Sequence, residues 1–66
     1  MRIYEFHFFD AADRRPLLDF FDGADDEAAL AAARTQLARH ASCNGVEVLE
    51  AGRLVGRIER VEPDIV

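Results

Sequence analysis

The hydrophobic period of this chain changes twice, and that change decides what it can fold into. Residues 2–10, RIYEFHFFD, place Tyr4, Phe6 and Phe8 on one side of an extended chain, the two-residue repeat of a strand in a stretch rich in aromatic types. The following DAADRRP, residues 10–16, holds turn formers and no apolar repeat, so it reads as a loop. LLDFFD at 17–22 then resumes apolar character, with Leu18 and Phe20 on one face and Leu17, Asp19 and Phe21 on the other. It reads as a second strand, paired with the first as a hairpin.

From Gly23 the period lengthens. Strong helix formers set Leu30, Ala33, Leu37 and Ala41 along one stripe, predicting a helix from about Asp25 to His40 or Ala41. Asp22, Asp25, Asp26 and Glu27 at its start, with Arg34, Arg39 and His40 toward its end, complement the helix dipole, and Asn44 and Gly45 supply the stop. The short period returns in VEVLE at 46–50 and LVGRIERV at 54–61, a second hairpin across Ala51, Gly52 and Arg53. Gly52 suits the left-handed position of a type I turn followed by a bulge. EPDIV at 62–66, with Pro63, is expected to leave the sheet as a short irregular tail.

The expected fold is α+β: a four-stranded, mostly antiparallel sheet in ββαββ order with one helix on one face. The first strand, the most apolar, is expected in the sheet interior. At 66 residues, positions 1–66 make one domain and large multi-layer enzyme folds are excluded. No apolar run approaches the roughly 20 residues of a membrane helix and the start lacks a signal-peptide pattern, so a cytoplasmic location is expected. A single cysteine rules out an internal disulfide staple. Eleven residues are alanine, leaving few large apolar side chains for a chain that buries roughly 60% of its unfolded surface.

Several segments carry a resemblance. Met1-Arg2 followed by Tyr4, Phe6 and His7, the helix from Glu27-Ala28-Ala29 through Ala33-Arg34, and Val46-Glu47-Val48 with Gly52-Arg53-Leu54-Val55 are similar to a family of small uncharacterised bacterial proteins carrying a domain of unknown function. The resemblance covers most of the chain. It implies the fold above and brings no catalytic residues.

Strand alternation divides the remaining side chains between two faces. The inner set is expected to be Tyr4, Phe6, Phe8, Leu18, Phe20, Val46, Val48, Leu54 and Ile58, facing Leu30 and Leu37 of the helix. The outer face then receives Ile3, Glu5, His7, Phe9, Leu17, Asp19, Phe21, Glu47, Leu49, Val55, Arg57, Glu59 and Val61, seven of them large and apolar. One helix covers one face, and contiguous bare apolar patches are unusual on monomers. The expected function is therefore a non-catalytic protein-interaction module that homo-oligomerises through this second face, with Ile3, His7, Phe9, Leu17, Phe21, Leu49, Val55 and Arg57 at the interface. The bland alternative is scattered surface apolar residues.

Catalytic chemistry finds little to stand on. His7, between Glu5 and Phe9, could titrate near neutral pH in a dimer-formed cleft, which keeps a small ligand binder or enzyme as a lesser alternative. His40 and Cys43 offer two metal ligands where zinc takes four, or three and water, so no metal or cofactor is expected. Cys43 faces the negative end of the helix dipole, which disfavours its thiolate. Ser42 lacks a nucleophile-elbow context, and Asp25, Asp26 and Glu27 read as helix N-terminal charge. A net charge of -5 argues against nucleic acid despite Arg53, Arg57 and Arg60 in the last hairpin. A further alternative rests on fold-level analogy: small strand-strand-helix units also occur in antitoxins, which points to an antitoxin-like regulatory protein binding a small basic partner through an acidic or sheet-edge surface.

Overall fold

The computed structural model describes residues 2–60, which form one antiparallel sheet and one helix. The strands are β1 (Arg2–Phe9), β2 (Leu17–Gly23), β3 (Gly45–Glu50) and β4 (Arg53–Glu59), and the helix α1 (Asp26–Arg39) lies between β2 and β3 in the chain. The spatial order is β2-β1-β3-β4 with every neighbour antiparallel, so the α+β, ββαββ expectation holds and the aromatic β1 sits inside the sheet. The helix starts where Asp25, extended, accepts a hydrogen bond from the Ala28 N–H at 2.8 Å, satisfying one of the free donors of the first turn. It ends against Arg60, whose guanidinium donates to the carbonyls of Leu37, of His40 at 2.9 Å and of Cys43 at 3.1 Å. One cation thus satisfies several carbonyls that a helix leaves free at its C-terminus.

The core lies between helix and sheet. Tyr4, Phe6, Phe8, Val46 and Val48 are fully buried against Ala29, Ala33 and Leu37. Alanine at two of those helix positions lets the backbone approach the aromatic sheet closely, which explains how so thin an apolar set still closes a core. Tyr4 keeps its hydroxyl satisfied by donating to Asp26 at 2.9 Å, and burial with that bond raises its pKa.

Two stretches differ from expectation, each by a shift of phase. The β1–β2 register sets Tyr4 opposite Phe21, Phe6 opposite Asp19 and Phe8 opposite Leu17. Cross-strand partners share a face, so Leu17 and Phe21 belong to the helix side, and Phe21 stacks on Phe6 with ring centroids 5.6 Å apart. Leu18 and Phe20 turn outward instead. In β4 the register slips beside Val48 and Leu49: Val48 opposes Gly56, but Leu49 opposes Leu54. The extra residue is a bulge that brings Val55 against the core and sends Leu54 to the outer face. The turn is also shorter than expected, a two-residue Ala51-Gly52 loop with both φ values positive at 51° and 80°, the signature of a type I′ hairpin turn. Val61 and the expected 62–66 tail lie outside the described residues.

Candidate interaction surface

The outer face of the sheet holds two unlike halves. At one end Phe9 lies across Gly45, where a Cβ would come within 2.3 Å of its ring, so the missing side chain makes the floor on which the ring rests. The Arg57 guanidinium sits 4.0 Å above the ring centroid and that of Arg15 lies 5.4 Å away, a cation–π arrangement from two different elements. Glu47 holds both cations, Arg15 at 2.9 Å and Arg57 at 2.8 Å, and Arg57 also reaches Glu59 at 3.3 Å. The hydrogen bonds that Arg57 donates to Glu47 and Glu59 raise its pKa. Covered in this way, Phe9 is 2% exposed although it faces away from the helix.

The other half is bare. Across the sheet, Phe20 of β2, Glu5 of β1, Leu49 of β3 and Leu54 of β4 form one row, with Ile3 and Leu18 beside it. Ile3, Leu18, Phe20 and Leu54 are 56%, 50%, 61% and 56% exposed. His7 occupies the next row, between Leu18 and Glu47, and its Nε2 meets Glu5 Oε1 at 2.9 Å. The Glu5–His7 pair therefore marks the seam between the apolar half and the arginine-covered half.

Of the residues named from the sequence for this face, Ile3, His7, Phe9, Leu49 and Arg57 lie on it, while Leu17, Phe21 and Val55 pack toward the helix. Their places are taken by Leu18, Phe20 and Leu54. Loop length carried the signal for Leu54, because a two-residue turn forces Glu50 opposite Arg53 and Leu49 opposite Leu54. Nothing comparable existed for β2, where each alternate set holds two large apolar residues and one aspartate.

The border of the face is polarised. Among the described residues Asp19, Asp22, Asp25 and Glu27 enter no ion pair, whereas the carboxylates of Glu5, Asp10, Asp13, Asp26, Glu47, Glu50 and Glu59 all do. The unpaired set runs along β2 and the start of α1. On β2 itself the Phe20 N–H donates to Asp19 Oδ1 at 2.8 Å. On the helix side, Arg2 binds Glu50 at 2.7 and 2.8 Å, and Arg53 joins Glu50 at 2.6 Å to Asp26 at 3.1 Å. Hydrogen bonds from the two arginines bring the Glu50 pKa down to about 2.

Among the described residues no pocket opens, no cluster of His, Cys, Asp or Glu is arranged to hold a metal ion, and no helix is long and apolar enough to cross a membrane. Cys43 is buried beside the helix end, and the His40 ring packs edge-on to Phe8 at 5.1 Å, so these two residues serve packing. No family model, curated protein or solved structure matches the chain.

Proposed function

We propose that this protein is a non-catalytic interaction module whose bare half-face pairs with the same half-face of a second copy. The observation that carries the reading is the grouping of Ile3, Leu18, Phe20 and Leu54 on one side of a four-stranded sheet, each at least half exposed. A patch of that kind costs free energy in water and marks an association site. A second copy is the occupant we take, because a two-fold contact uses the same residues on both sides; Arg15 and Arg57 neutralise Glu47 and Glu59 on the adjoining half, and Glu5, within the bare half, is paired with His7. The site of action we infer is the cytoplasm, because the chain's single cysteine leaves a fold this small without a disulfide staple.

Light scattering after size exclusion tests the reading. The chain is expected to elute as a dimer at micromolar concentration, and Phe20→Glu or Leu54→Glu to give a folded monomer. A wild-type chain that stays monomeric overturns it.

A second reading rests on the carboxylates of Asp19 and Asp22 on β2 and of Asp25 and Glu27 at the start of α1, which enter no ion pair among the described residues: an antitoxin-like regulatory protein whose acidic β2 border takes a small basic partner. A salt-sensitive complex weakened by Asp22→Asn, with Leu54→Glu leaving it intact, separates this reading from self-association.

A further inference from the structure

We propose that self-association through the bare half-face is coupled to proton uptake at the Glu5–His7 pair, so that the assembly tightens as pH falls from 8 to 6. The inference rests on the self-association proposed above and assigns its regulation. Glu5 stands in the apolar row between Phe20 and Leu49, where contact with a second copy removes water from its carboxylate. A carboxylate drawn out of water needs a cation beside it. Every charged group around the pair can be placed. Glu47, across β3 from His7, is taken by Arg15 and Arg57. Arg57 of β4 is further shared with Glu59. On the β2 side Leu18 stands opposite His7, and Asp22 two positions beyond Phe20 adds only negative charge. The helix is on the other face. Glu5 is left with one group able to become its cation, His7 at 2.9 Å.

Histidine is the side chain whose charge changes in this pH range. When the His7 ring has taken a proton from solvent, the pair that enters the contact is neutral overall. When it has not, each copy brings an uncompensated carboxylate into an apolar row. Protonated His7 is therefore the form that favours assembly, and linkage allows up to about tenfold in affinity per pH unit for each proton taken up.

Sedimentation equilibrium at pH 6 and pH 8 reads this directly. The dimer dissociation constant of the wild type is expected to be at least about fivefold smaller at pH 6. His7→Gln, which keeps a hydrogen-bonding group beside Glu5 without the charge, should flatten the dependence at the weaker, pH 8 level. Glu5→Gln should flatten it at the stronger one. His40→Gln, altering the chain's other histidine, should leave the slope intact. Assembly that is equally strong at both pH values, or a slope that survives in His7→Gln, overturns the coupling and leaves the self-association reading standing. A chain monomeric at both pH values up to about 200 micromolar overturns both.

Discussion

Phe9 and Phe20 are both phenylalanines on the outer side of the same sheet, yet one is 2% and the other 61% exposed. The difference comes from where the arginines are committed. Arg15 leaves the first loop and Arg57 stands on β4, and Glu47 holds both over the Phe9 ring. Arg2 and Arg53, by contrast, are drawn to the helix side by Glu50 and Asp26. The chain thus covers one apolar outer site with its own cations and provides no such cover for the other. An aromatic that faces away from a helix is not by that fact a surface residue; its exposure depends on whether long side chains can lie across it.

The largest effect expected from breaking this contrast is on stability. Phe9→Ala should cost about 3 kcal/mol, as for other buried aromatics, because it empties a site enclosed by Gly45 and two guanidiniums. Phe20→Ala should stay within about 0.5 kcal/mol in dilute solution while weakening association. Urea denaturation at low protein concentration checks both, and equal costs would erase the distinction between the halves.

A smaller effect should follow from uncovering Phe9 without removing it. Arg57→Ala is expected to destabilise the fold by less than Phe9→Ala does, through lost cation–π contact and lost stem packing. It should also bind a hydrophobic dye where the wild type's covered half does not.

The mildest change sharpens the contrast from the arginines' other commitment. The Glu50 pKa in the folded chain, about 2, lies below the 4.5 of an unperturbed glutamate. The stabilisation from this group is therefore complete above the unfolded value and is lost as pH falls toward about 2. Glu50→Gln should be less stable than wild type at neutral pH and should show a flatter stability profile between pH 5 and pH 2, measured by circular dichroism.

The element order and the identity of the central strand were legible in the sequence because each rests on a long, uniform signal: the aromatic alternation of β1 and the alanine-rich stripe of α1. The outer face was legible where β1 and β3 contribute to it, through Ile3, His7, Phe9 and Leu49. It was misread in β2 and at Leu54 and Val55 of β4 for two separate physical reasons. LLDFFD offers two alternate sets of nearly equal hydrophobicity, so its phase is decided by pairing with β1 and not by its own composition. In β4 a bulge breaks the alternation itself, and residues on either side of it cannot be read with one period. The cover over Phe9 lay beyond any periodic signal, since Arg15, Glu47 and Arg57 come from three separate segments.

The hydrogen bond from the Phe20 N–H to Asp19 bears on how large an assembly can grow. Sheet growth along an open border has no natural stopping point, since each added strand presents a fresh row of donors and acceptors to the next. Contact between faces does have one, because two copies hide the surface that joined them. With a carboxylate already seated on a donor of β2, that border is obstructed as a template for a further strand.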